Sequence, residues 1–206
     1  DGSLYSTVML NKQFIREIGD KLMIYNWNNK VGTNDTVYHL GDLSMASTSS
    51  YNELAAILSK LNGHIKLIMG NHDNKSLINK LASKGLLEVI SNIGIKTKYN
   101  HRSYFLSHYG IDIGGYAQLR DYFNEHHELP KGISISIHGH IHEDKYLEVN
   151  KFNVSVDNAI SYELNDNHLG QPLLFSDLDA YITKNLPLRI IDSIASEANQ
   201  DASASY

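Results

Sequence analysis

The 206-residue chain contains no cysteine, which excludes disulfides and thiolate metal sites and leaves cysteine usage silent about the redox compartment. No apolar run approaches membrane-spanning length and nothing resembles a signal peptide, so a cytoplasmic location without membrane association is the default expectation. There is no basic surplus: 18 Lys and Arg stand against 23 Asp and Glu, for a formal net charge of −5. That balance argues against a dedicated binder of double-stranded nucleic acid, which needs a basic face. There is no internal repeat, and the first residues, Asp1-Gly2-Ser3, carry no initiator Met. The remainder is ordinary for a globular protein, with 42% hydrophobic and 20% charged residues and enough chain for one sizeable core. Eleven His is high for this length.

Hydrophobic periodicity divides the chain into elements. Leu4, Val8, Ile15, Ile18, Leu22 and Tyr25 recur at helical spacing and predict one amphipathic helix over 4–28, closed by Asn28-Asn29 and Gly32. A strand over 35–40, a helix over 50–61, a strand over 64–69 and a helix over 74–83 follow. This strand–helix alternation predicts a parallel sheet covered by helices, with the site in the loops at the carboxyl ends of the strands. The second half reads differently. Gly94–Tyr99 and Ser103–Ser107 flank Asn100-His101-Arg102 as a hairpin, Ile133–Ile137 is a buried strand, and Lys145–Val149 and Phe152–Val156 flank a tight turn at Asn150-Lys151. Residues 176–185 suit one more helix. One domain over 1–192 is expected, with 193–206 a polar tail, disordered or a frayed helix.

Four polar motifs follow strands. Gly41-Asp42 alone reads as a turn, and His39 before it as a residue packed in the sheet. In Gly70-Asn71-His72-Asp73 the Asn71 amide oxygen suits a divalent ion, His72 is free to face a substrate, and Asp73 has the chemistry to orient His72; equally, Asp73 or Asn74 suits the cap of the next helix. His108 ends the Tyr104–Ser107 strand. In Gly139-His140-Ile141-His142 two His at i and i+2 of an extended segment point the same way and reach one centre; His138 reads as packed or supporting. One Asp, one Asn and three His form a ligand set for Zn, Mn or Fe, and such metals make a bound water nucleophilic.

In this order, each at a strand end, the four motifs resemble the calcineurin-like metallophosphoesterases, from about Asp35 to Val156. Asn153-Val154-Ser155-Val156-Asp157 resembles the strand after Gly-His-x-His in small bacterial and phage members. The resemblance implies an α/β fold, a four-layer α/β/β/α sandwich of two mixed sheets between helical layers, with two divalent metal ions (Mn, Fe or Zn) at the strand ends. It implies that Asp42 bridges the metals, that Asn71, His108 and His140 complete one site, and that His142 belongs to the other. It also implies that His72 is the general acid, supported by Asp73. The family's opening Asp-x-His, whose Asp and His hold the metal that His142 shares, occurs nowhere before Asp42. The expectation is that its strand is missing from this chain and that the second site is incomplete.

The function so implied is metal-dependent hydrolysis of a phosphate ester, most naturally a phosphodiester or a small nucleotide-type substrate. Alternatives are a mononuclear or inactive metal-binding relative, or a nuclease module. Substrate preference is expected in Gly110–Lys131, where Arg120 has the charge to grip a phosphate and Tyr116 or Tyr122 the ring to stack on a base. The plainer reading of the same stretch is a solvated loop and helix.

Overall fold

A computed structural model of the chain describes residues 18–44, 50–142, 149–166, 168 and 170–204. Its first half holds helix α1 over 18–30, β1 (Thr36–His39), α2 (Tyr51–Leu58), β2 (His64–Ile68), α3 (Lys75–Ala82) and β3 (Glu88–Ser91). Strands β1, β2 and β3 pair in that order, all parallel. The helices start where short polar side chains take up free backbone donors: Ser50 accepts from the Glu53 N–H and Asn74 from the Leu77 N–H. Asn74, rather than Asp73, is therefore the cap of α3.

Neighbouring residues of β2 reveal the layering. Successive strand residues face opposite sides of a sheet, and both Leu67 and Ile68 are fully buried. Leu67 packs with Leu58, Ile78 and Leu81 of α2 and α3. Ile68 packs with Leu106, Ile135 and Ile137, which belong to a second sheet.

The chain crosses to that second sheet between Ser91 and Gly94, where the Ser91 hydroxyl accepts from the Ile93 and Gly94 N–H groups and donates to the Gly94 carbonyl. The sheet contains β4 (Gly94–Tyr99), β5 (Arg102–Ser107), β6 (Ser134–His138) and β7 (Lys151–Asn153) in the order β4-β5-β6-β7. Strands β4 and β5 are antiparallel and the other pairs parallel. The hairpin turn is Asn100-His101, both left-handed at φ 45° and 64°, as a two-residue primed turn requires. Helix α4 (Tyr116–His126) is the crossover from β5 to β6, α5 is Ala159–Leu164, and α6 is Phe175–Ala204.

Two sheets flanked by helices make this an α/β fold. The described strands of the first sheet are all parallel, as the strand–helix alternation of this half predicts; the resemblance implied a mixed sheet, which the second sheet is. Strand β3 and helix α5 carry no expectation from the sequence, while α4 is the helix of the plainer reading of Gly110–Lys131. Residues 4–17 and 145–148 lie outside the described residues; the turn expected at Asn150-Lys151 instead falls at 149–150, since Lys151 opens β7.

Two helices differ in substance from expectation. In α1, Ile18, Leu22 and Tyr25 are exposed. This helix is held by its C-terminal turns: Trp27 Nε1 donates to the Asn62 carbonyl at 2.9 Å, and Asn28 both donates to the Lys60 carbonyl and accepts from the Asn62 N–H. Helix α6 continues through Pro187 to Ala204. An interior proline costs a helix about 3 kcal/mol. Leu178, Ile182, Leu186 and Ile190 recur every four residues and are buried. At roughly 1.5–3 kcal/mol for each such side chain, that stripe outweighs the proline. The start of α6 is fixed by Asp179, buried, which accepts from Arg102 at 2.7 Å, from Asn100 at 2.9 Å and from the Tyr104 hydroxyl. No helix among the described residues is long and apolar enough to cross a membrane.

Candidate metal centre

The polar motifs sit on the carboxyl ends of β1, β2, β5 and β6. Close approach of these four ends depends on two glycines. A Cβ on Gly70 would collide with the Asp42 carboxylate and its N–H. One on Gly41, which also sits at φ 94°, would meet the His108 ring and the Gly70 backbone. Asp42 and His140 themselves lie in the left-handed region, at φ 54° and 66°. Such strain persists where the surrounding structure over-determines it. Here Gly139 N–H donates to the His108 carbonyl and Ile141 N–H to the Gly139 carbonyl.

The His140–His142 segment is thus a tight turn and not the extended run expected. Its two His rings diverge: His140 turns inward to His108 and His142 turns outward.

The inward cluster is compact. His108, fully buried, places Nδ1 2.7 Å from the Leu40 carbonyl. Nδ1 is therefore the protonated nitrogen, and Nε2 offers a lone pair. That lone pair faces Asn71 Oδ1 at 2.9 Å, His140 Nδ1 at 3.1 Å and Asp42 Oδ2 at 3.4 Å. The ligating atoms of Asp42, His108 and His140 all lie within 4.8 Å of one another. A carboxylate, an amide oxygen and an imidazole lone pair pointed at one another repel unless a cation lies among them. The donor chemistry fits Zn, Mn or Fe. Burial, followed by the neighbouring His108, holds the His140 imidazole below the usual histidine value, with Asp42 opposing. A neutral ring is the ligating form.

Asp73 has a different task from orienting His72. Its Oδ2 accepts from the Gly70 N–H at 2.8 Å and the Asp42 N–H at 3.0 Å, and its Oδ1 from the Ser44 N–H at 3.1 Å. The carboxylate clamps the two loops that carry Asp42 and Asn71. His72 is exposed, and its backbone N–H donates to Asp42 Oδ1 at 2.9 Å. The imidazole therefore stands at the rim of the cluster, attached through the backbone.

The remaining candidates disperse. His142 Nδ1 lies 2.6 Å from Asp157 Oδ2 at the surface. Arg120 is engaged by Asp121 at 3.2 Å and by Glu197 of α6 at 2.9 Å. The Tyr116 hydroxyl meets Ser193 Oγ at 2.7 Å. Both of these side chains serve the α4–α6 contact. His39 is packed as expected, with Nδ1 buried and without a hydrogen-bond partner among the described residues, and burial keeps it below the usual histidine value against the pull of Asp73 and Asp42. His138 is buried, with Nδ1 at the Gly139 carbonyl. Tyr109 escaped the sequence reading. Its ring lies edge-on to both His108 and His140, with centroids 4.9 and 4.6 Å away. Its position directly after His108 was the available signal.

The profile of the calcineurin-like phosphoesterases matches residues 11–191. An uncharacterised protein of Methanocaldococcus jannaschii is 44% identical over 54 residues, 26% of this chain and 30% of that protein. The Gene 66 protein of Mycobacterium phage L5 is 37% identical over 65 residues, 32% of this chain and 31% of that protein. These matches span about a third of each relative's length. Among solved structures, a protein of unknown function from Aquifex aeolicus shares the fold, with a TM-score of 0.51 at 23% identity over 79% of this chain and 84% of that one.

Proposed function

The chain belongs to the calcineurin-like phosphoesterase family, and from that premise we propose that it hydrolyses a phosphate ester, with a phosphodiester or small nucleotide-type compound as substrate. The observation that carries this reading is the convergence of Asp42, Asn71, His108 and His140 on one point with His72 at its rim. These four residues would hold one divalent ion, Mn, Fe or Zn, and Asp42 with His142 would contribute to a second. When bound, such ions polarise phosphoryl oxygens and lower the pKa of a water ligand.

The chain's own groups do the rest. His108 is locked in one tautomer by the Leu40 carbonyl. Asp73 keeps the Asp42 and Asn71 loops in register. Tyr109 walls one side of the two His rings. His72, exposed and joined to Asp42 only through its backbone N–H, is placed to give a proton to the departing oxygen.

One observation favours a second reading, a mononuclear or inactive metal-binding relative: His142 turns away from the cluster toward Asp157. Both readings are tested by metal analysis alongside assays on bis(p-nitrophenyl) phosphate and p-nitrophenyl phosphate. The proposal expects Mn-dependent cleavage of the diester above the monoester, abolished by a chelator. Bound metal with neither ester cleaved would establish the inactive relative. No bound metal after loading would overturn both.

A further inference from the structure

We propose that Asn153 and Asp157 form a holder for the Gly139-His140-Ile141-His142 turn, with Asp157 the positioning residue that sets the ring of His142 for a metal. This rests on the reading that His142 is a metal ligand. Strand β7 pairs with β6 at His138↔Asn153, and the Val154 N–H donates to the His138 carbonyl at 2.8 Å. The chain leaving β7 therefore runs beside the chain leaving β6. Asn153 is buried, and its Nδ2 donates to the Ile141 carbonyl at 2.5 Å. The backbone midway between the two His is thereby fixed from the neighbouring strand.

Asp157 is fixed in turn. The Asn158 N–H donates to the Ser155 carbonyl at 2.9 Å, and the buried Asn158 side chain caps α5 by accepting from the Ile160 N–H at 3.0 Å. Asp157 thus projects from a closed turn abutting a helix start. Its Oδ2 stands 2.6 Å from His142 Nδ1.

A carboxylate on Nδ1 makes that nitrogen the protonated one and leaves the Nε2 lone pair as the open donor. This arrangement fixes the tautomer and ring orientation of ligating histidines. Stability does not account for the pair: its side chains are 69% and 41% exposed, and exposed ion pairs contribute little.

The test uses the full chain as wild type, Asp157→Ala and His142→Ala. Mn²⁺ binding is measured by calorimetry and metal content, and the His142 tautomer by long-range ¹H–¹⁵N correlation spectroscopy. Asp157→Ala is expected to weaken the His142-dependent Mn²⁺ site about 10- to 100-fold, leaving the other site and the melting temperature in place. His142 is expected to pass from the Nδ1–H form to a mixture of tautomers. Unchanged Mn²⁺ affinity in Asp157→Ala, where His142→Ala abolishes the site, would overturn this inference alone. Loss of the site in Asp157→Ala as complete as in His142→Ala, with the tautomer unchanged, would make Asp157 a ligand and refute its positioning role. If neither substitution alters Mn²⁺ binding, His142 is no ligand, and that part of the proposed function falls with the inference.

Discussion

Asp73 offers a sharp test, because sequence and structure assign it different work. As a helper of His72, its loss would lower turnover and leave stability alone. As a clamp, its loss releases three backbone N–H groups, those of Gly70, Asp42 and Ser44. Hydrogen bonds to charged groups contribute about 1.5–3 kcal/mol each. The clamp is half-buried, so the low end applies, and Asp73→Ala should destabilise by about 4 kcal/mol. For a chain of this size the urea m-value lies near 2–3 kcal/mol/M, so the unfolding midpoint should fall by roughly 1.3–2 M. Asp73→Asn keeps one accepting oxygen and turns an NH₂ toward the other donors; about half the loss is expected. His72→Ala, at an exposed position, should stay within about 0.5 kcal/mol of the parent. Equilibrium urea unfolding of the three variants decides the matter. An Asp73→Ala midpoint matching the parent, with turnover falling as in His72→Ala, would refute the clamp.

Other expectations follow from the same geometry. His72→Ala should keep its metal content and lose roughly 10²–10⁴ in turnover on an alkyl phosphodiester, with a smaller loss on a nitrophenyl ester; simultaneous loss of metal would make His72 a ligand. Gly70→Ala should cost about 1–3 kcal/mol of overpacking and weaken Mn²⁺ binding, because the added Cβ displaces the Asp42 carboxylate; calorimetry with unchanged affinity would contradict this. Asp179→Ala should destabilise by about 3 kcal/mol, the low end of the range for a broken buried pair, since half-buried Arg102 loses its carboxylate but keeps the Thr183 hydroxyl. Burial pushes the Asp179 carboxyl up, but hydrogen bonds from Tyr104, Asn100 and Arg102 outweigh it and hold the group below the usual carboxylate range. Its stabilisation is therefore complete above the unfolded value near 4 and is lost as pH falls through the lower folded value. Melting curves of parent and Asp179→Asn should converge in strong acid and part above about pH 5.

Much of the site was legible because its residues follow strands. A buried apolar run such as Ile133–Ile137 announces the strand, and the polar residue that ends it is exposed to view. Asp42, Asn71, His108 and His140 were found in this way and do converge. Periodicity carries no such signal for backbone sign. The left-handed φ of His140 sends His140 and His142 apart, where their spacing suggested one direction. Asp73 departs from expectation because a carboxylate beside a His suggests a pair, while two of its three donors come from a loop some thirty residues away and the third from Gly70. Arg120 and Tyr116 were read without α6, whose Glu197 and Ser193 occupy them. The length of α6 was hidden by Pro187, a local penalty overridden by a buried stripe. The short strand β3, with its half-buried Val89 and Ile90, offers too weak a pattern to stand out.

Asp42 and Asn71 hang from the parallel sheet, His108 and His140 from the mixed one. The covalent passage between the sheets is a tight turn at Ser91–Gly94. The cluster is thus a seam, and a cation seated in it fastens the two halves of the sandwich to each other. Occupancy then becomes a mechanical matter as well as a chemical one. At a free concentration a hundred times its Kd, such a cation would add about 2.7 kcal/mol to the stability of the folded state, and any opening that parts the sheets would forfeit it. Amide exchange in β1 and β6, which lie on opposite sides of the seam, should therefore slow together on loading and quicken together when a chelator removes the ion.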